Sequence, residues 1–183
     1  MGRIIYDAAT SLDGWIADER HSLDWLFRAA GGEDAPEGLY PADAAVLVEG
    51  SRTYEWVLAH EDLLANPARW GELYDTKPTF VFSHRVLPIP AGADVRLVRG
   101  GVTDALPAIR EAAAGGDVWI VGGGDLAGQF FDAGVLDTIA VSVAPATLGG
   151  GAPLLPRRIE SDRLRLRSAG QAGPFARLVY DVN

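Results

Sequence analysis

Two short segments place glycine and small polar residues directly after an apolar run: "VEGSRTYE" at 48–55 and "IVGGGDLA" at 120–127. Glycine removes Cβ atoms at such a junction, and a helix that begins there presents unpaired backbone N–H groups, the combination that receives a diphosphate. A tight turn with special dihedrals uses the same residues, so the run 122–124 supports both readings. Three carboxylates stand where a proton or a polar ligand edge could be held: Asp13 in an Asp-Gly turn, Asp24 in "SLDWLF" and Glu49 at the end of "AAVLVEG". Each has a structural alternative. Asp13 can bond the backbone of its own turn, Asp24 can act as a first-turn acid on a helix dipole, and Glu49 can be held by backbone donors.

Several chemistries are excluded. After Gly122 and Gly124 the third position of the common dinucleotide fingerprint is Ala127, and the run comes late in the chain rather than after the first strand. No lysine follows the glycines, which removes the P-loop reading. Cysteine is absent and the three histidines lack any H-E-x-x-H-type spacing, so no metal site and no thiolate nucleophile is expected. The net charge of −9 argues against holding a nucleic acid backbone. No apolar run approaches the roughly 18 residues that cross a bilayer, and the N-terminus lacks the apolar core of a signal peptide. Met1-Gly2 reads only weakly as a myristoylation site, because Tyr6 stands where Ser or Thr is wanted. A cytoplasmic protein that does not bind membranes is expected. Six arginines fall within 157–183; "RRIESDRLRLRS" reads as a solvated strand face with Arg163, Arg165 and Arg167 alternating outward.

The elements that would position these residues follow from periodicity. Strands are expected at 3–10, 44–50, 78–84, 93–100 and 117–123, the third and fourth separated by a proline-containing turn. Helices are expected over 22–30 with Ser22 as cap, from Arg52 onward with Ser51 as cap, from Thr103 or Asp104 to about Ala114, and across "DLAGQFFDAG". Residues 31–41, rich in Gly, Pro and acids, read as a loop and a plausible flap. After residue 135 the strands follow one another through turns. About eight strands and four helices result, in one domain spanning 1–183. The fold class is α/β: three layers around a mostly parallel sheet with antiparallel C-terminal strands.

"AATSLDGWIA" at 8–17, "LVEGSRTYEW" at 47–56, "TFVFSH" at 79–84 and "VWIVGGGDLAGQFFDAGVLDTIAVSVAPATLGGGAPLLP" at 118–156 carry a resemblance over nearly the whole chain. The chain resembles the dihydrofolate-reductase-like superfamily, in particular bacterial proteins grouped with the C-terminal reductase domain of the bifunctional riboflavin-biosynthesis deaminase/reductase. The resemblance implies an NADPH-dependent reductase of a pterin or riboflavin-pathway pyrimidine, often dimeric. It implies that Gly50, Ser51, Arg52 and Thr53 meet the cofactor, that Ser83, His84 and Arg85 lie near the adenosine ribose and its phosphate, and that Gly122, Gly123, Gly124, Asp125 and Leu126 cradle the diphosphate or nicotinamide end. Ala9 and the segment 12–16, including Ile16, would form the nicotinamide and substrate wall. Arg52 and Arg85 are cations beside these phosphate positions, which favours NADPH over NADH. Asp24, with Asp13, is the candidate for the carboxylate that binds the heterocycle and assists protonation. Trp15 and Trp25 could stack on a flat ligand or pack in the core. The chain departs from the authentic riboflavin reductase in having Lys77 as its one lysine and "YEWV" after Thr53. The alternative reading is a non-catalytic nucleotide or small-molecule binding protein on the same fold.

Overall fold

A computed structural model describes residues 1–29 and 41–183. The chain opens with β1 (Ile4–Thr10), β2 (Trp15–Ala17) and α1 (Asp24–Ala29). It continues through β3 (Val46–Gly50), α2 (Ser51–His60), α3 (Ala68–Tyr74), β4 (Thr79–Phe82), β5 (Val95–Val98), α4 (Val102–Ala113), β6 (Val118–Gly122) and α5 (Gly124–Asp132). The remainder is β7 (Thr138–Val143), β8 (Ala152–Pro153), a 3-10 turn (Ser161–Arg163), β9 (Leu164–Ala172) and β10 (Phe175–Val182). Eight strands form one sheet in the order β5-β4-β3-β6-β1-β7-β10-β9, and β2 pairs with β8 in a separate ribbon. Pairings from β5 through β7 are parallel, while β10 runs antiparallel to both β7 and β9. The three-layer α/β fold with antiparallel C-terminal strands is the one expected.

Strand periodicity sorts side chains between two layers. Ile4, Tyr6, Val46, Val48, Val118, Ile120, Ile139 and Val141 enter the core shared with α4 and α5, where Ile109, Ala127 and Phe130 are fully buried. On the other face Tyr54, Val57, Leu58, Leu63, Trp70 and Val81 form a second core under α2 and α3. Trp25 of α1 packs on Ala144 and Phe175 in a third, smaller cluster. The chain lays down β1, crosses to β3, β4 and β5, and returns with β6 between β3 and β1. Loops therefore diverge beyond the carboxyl ends of β1, β3 and β6, the position where open α/β sheets form a crevice.

Several boundaries differ from the sequence reading. Gly50, extended at φ −79°, precedes α2, so Ser51 is the first helical residue and not its cap. Gly101 likewise starts α4 one residue early, with its N–H donated to the Asp104 carboxylate at 3.3 Å, and Ala114 already turns left-handed at φ 48° before Gly115. Ser22 does accept the Asp24 N–H at 3.1 Å. Helix α3 and the β2–β8 ribbon are additions. Trp70, Leu73 and Tyr74 carried the helical spacing of α3, but the flanking turns masked it. Arg163, Arg165 and Arg167 do not form a free solvated row: Arg163 lies in the 3-10 turn, and Arg165 and Arg167 both pair with Asp181. The flap expected at 31–41 lies, Pro41 apart, outside the described residues.

Candidate active site

A cleft of about 1200 Å³ runs over the carboxyl ends of β1, β3, β4 and β6. Ala9, Ile16 and the segments 50–53, 83–85 and 122–126 all line it, so the residues singled out for cofactor contact converge on one space. The three consecutive glycines serve different purposes there. A Cβ on Gly124 would sit 2.3 Å from the carbonyl oxygens of Pro153 and Leu154, and one on Gly122 would sit 2.7 Å from Thr53 Oγ1. Those two glycines permit close packing of α5 on β8 and of β6 on α2. A Cβ on Gly123 would meet only Ile16 Cδ1, at 4.0 Å, and Ile16 itself faces the cleft. Gly123 therefore leaves room in the cleft where a side chain would fill it. A register shift between Val48 and Glu49 sets Glu49 opposite Gly122, re-aiming β3 where it meets the glycine run.

The cations divide by environment. Arg85 makes a bidentate pair with Glu55 at 2.8 and 2.6 Å, and its loop is fastened by Ser83 Oγ, which accepts the Arg85 N–H at 3.0 Å and donates to the Arg85 carbonyl at 3.1 Å. Arg52 is exposed on the first turn of α2 and has no ion-pair partner among the described residues. Asp125 accepts from Gln129 Nε2 at 2.9 Å and from Arg157 Nη1 at 3.0 Å, bonds that hold its carboxyl below the usual range.

The two carboxylates expected to act on a substrate are not lining residues of the cleft. Asp13 accepts from Ser11 Oγ at 2.6 Å, from the Leu148 N–H at 3.0 Å and from the Gly149 N–H at 2.7 Å. Those donors, the Ser11 hydroxyl foremost, pull its carboxyl down to about 2. Its geometry is that of a clamp joining the first turn to the "TLGGGAPLLP" loop. Asp24 occupies the first turn of α1, where an acid suits the helix dipole. Trp15 and Trp25 also lie off the cleft; Trp56 and Trp119 line it instead.

The sequence reading missed the polar group that does face the cleft. Asp7, in the middle of β1, lines it with 4% of its surface exposed. Arg177 of β10 reaches across β7, donating from Nη1 to Asp7 Oδ1 at 2.6 Å, from Nη2 to Asp7 Oδ2 at 2.5 Å and from Nη1 to Ser142 Oγ at 3.0 Å. Trp119 Nε1 donates to the Asp7 carbonyl at 3.1 Å. Burial raises the Asp7 carboxyl, and the Arg177 guanidinium opposes that shift. A charged residue in the middle of the apolar strand "IIYDAAT" was the available signal. Glu49 lies in the second core, fully buried, outside the cleft lining. Among the described residues no group of three His, Cys, Asp or Glu side chains could hold a metal ion, and no helix is long and apolar enough to cross a membrane.

The comparisons with known proteins agree with this architecture. The family described as "RibD C-terminal domain" matches residues 3–174. YwjB of Bacillus subtilis (strain 168), an uncharacterised protein, is 29% identical over 173 residues, covering 94% of this chain and 93% of its own. A solved structure from Shewanella sp. PV-4, provisionally named a riboflavin biosynthesis protein, is 27% identical with a TM-score of 0.76, covering 100% of this chain and 99% of that one. Dihydrofolate reductase from Enterococcus faecalis, solved with NADP(H), shares the fold at a TM-score of 0.59 and 16% identity, covering 100% and 97%. With its motifs, topology and near full-length match, the chain belongs to the RibD C-terminal domain family, on the dihydrofolate-reductase-like fold.

Proposed function

We propose that this protein is an NADPH-dependent reductase of a flat nitrogen heterocycle of the pterin or riboflavin-pathway pyrimidine type. The observation that carries the reading is the single cleft in which two glycine-bearing helix starts, the space beside Gly123 and the arginines Arg52 and Arg85 face one another. The fit to a dinucleotide is chemical as well as spatial. The first turns of α2 and α5 offer backbone N–H groups to a diphosphate. Arg52, having no ion-pair partner among the described residues, is suited to the 2′-phosphate that distinguishes NADPH from NADH, whereas the charge of Arg85 is already met by Glu55. The family match, and the NADP(H) bound to the Enterococcus faecalis enzyme of the same fold, support that assignment. When bound, NADPH supplies the hydride.

The chain's own contribution is alignment and exclusion of water. Ala9 and Ile16 give the nicotinamide side of the cleft an apolar wall. Asp7, oriented by Arg177, presents a fixed charged acceptor to a ring N–H. Asp13 acts on the loop it clamps rather than on a ligand.

Tryptophan-fluorescence titration with NADPH and with NADH tests the reading, Trp56 and Trp119 being the reporters in the cleft. Saturable binding with NADPH preferred is expected, and Arg52→Ser lowers that preference by about ten-fold. Undetectable binding of both nucleotides, by fluorescence and by calorimetry, overturns the proposal. Binding without turnover is the second reading, favoured by the placement of Asp13 and Asp24 outside the cleft lining; substrate-dependent NADPH oxidation separates the two.

A further inference from the structure

Three charges of alternating sign meet at the start of α2. Arg52 stands on its first turn and Glu55 three residues later, a spacing that puts both side chains on one face of the helix. Glu55 thus has two cations for neighbours, Arg52 on its own helix and Arg85 on the loop after β4, and it pairs with the second. Arg85 Nη1 and Nη2 donate to the two Glu55 carboxylate oxygens at 2.8 and 2.6 Å. This fork-to-fork arrangement uses both oxygens and is among the strong forms of a guanidinium–carboxylate pair. Arg52 and Arg85 line the cleft, whereas Glu55 does not. Arg85 therefore stands at the cleft with its charge committed to a carboxylate outside the lining.

The pair is not what holds the loop. Ser83 Oγ accepts the Arg85 N–H at 3.0 Å and donates to the Arg85 carbonyl at 3.1 Å, so the backbone is fastened independently of the side chain. The Arg85 and Glu55 side chains are 60% and 39% exposed, and an exposed ion pair adds little to stability. Its consequence lies in the charge offered to a ligand. Among the described residues Arg52 and Arg85 are the arginines lining the cleft, and the Arg85–Glu55 pair is neutral as a unit. A phosphate monoester, with about two negative charges, meets the net charge of one guanidinium there instead of two. If Arg85 turned to the phosphate, Glu55 would be left unpaired beside a second anion, and that like-charge contact offsets the new hydrogen bonds.

We propose that Glu55 is a specificity-determining residue: by neutralising Arg85 it keeps the preference for a 2′-phosphorylated nucleotide below what two free arginines would give. The proposal rests on the reductase reading and concerns the cofactor selectivity of that same cleft. Glu55→Gln keeps the length of the side chain and an acceptor oxygen but removes the charge. NADPH and NADH, titrated by tryptophan fluorescence at low salt, are the probes. Glu55→Gln is expected to tighten NADPH by about five-fold and to leave NADH within about two-fold, the second value also reporting that the variant is folded. Adding Arg85→Met returns the NADPH-to-NADH ratio to within about two-fold of wild type, because the gain belongs to the released guanidinium. The gain shrinks as NaCl is raised from about 0.05 to 0.5 M, where exposed charges are screened. An unchanged ratio in Glu55→Gln, equal tightening of both nucleotides, or a gain that survives Arg85→Met would each overturn the inference and leave the reductase reading standing. Failure of wild type and variant alike to bind either nucleotide overturns that reading and the inference with it.

Discussion

Asp7 and Glu49 are both buried carboxyls on parallel strands of the sheet, with one strand, β6, between theirs, yet their surroundings are opposite. Asp7 receives two guanidinium hydrogen bonds from Arg177 and looks into the cleft. Glu49 is enclosed near Tyr54 and Tyr74, and neither of its oxygens accepts a hydrogen bond of ordinary geometry. Burial pushes Glu49 up to about 7, with the Tyr74 hydroxyl opposing the shift only in part. A carboxyl provided with a cation can stay charged where a ligand must be recognised; one left without a cation holds its proton to higher pH and serves the packing of the second core.

Removing the cation tests the first half of that contrast and has the largest expected effect. Arg177→Met leaves Asp7 buried without compensation, and loss of one partner of a buried pair costs about 3–5 kcal/mol; Arg177 keeps some solvent contact, which favours the lower figure. The penalty should shrink at low pH, where Asp7 escapes by protonating. Urea denaturation at pH 4 and pH 8 checks both statements, and equal stability of variant and wild type at pH 8 would show that the pair contributes nothing.

Glu49 predicts a smaller effect with a definite sign. Its native pKa lies above that of the unfolded chain, so the native state binds the extra proton. Stability is therefore fully present below about 4.5 and is lost as pH rises toward and through about 7, by roughly 2–3 kcal/mol at most. Glu49→Gln cannot ionise and should flatten that part of the profile. Thermal unfolding between pH 4 and 8 reads the difference; a wild-type profile as flat as the variant's would mean that Glu49 finds a partner in solution.

The same contrast marks what could be read from the sequence. Hydrophobic runs and their order set the sheet and its layers, because a continuous apolar run of strand length, as in β3 and β6, marks a strand covered on both faces. Glycine and small polar residues at 50–53 and 122–126 marked the cleft, because helix starts beyond parallel strands leave few other places for a ligand. The roles of single carboxylates were not legible. Asp13 and Asp24 stood in recognisable local motifs, but Asp7 is defined by an arginine 170 positions away and Glu49 by the lack of any such partner. Local spacing reports helix faces and turns; it carries no term for a contact between β1 and β10.

Asp13 supplies the mildest test, and it separates a clamp from a catalyst. Its carboxyl is held down to about 2 by Ser11 and the backbone N–H groups of Leu148 and Gly149, so its contribution is present above the ordinary carboxylate range and is lost as pH falls through about 2. Asp13→Asn keeps an acceptor oxygen but gives up the charge that strengthens those bonds. A fall of a few degrees in Tm at pH 7 is expected, shrinking toward pH 2, with NADPH affinity changed by less than about two-fold. A group that touched the substrate would behave in the reverse way, leaving Tm in place and abolishing turnover, so a variant of wild-type stability that no longer oxidises NADPH would return Asp13 to the reacting atoms.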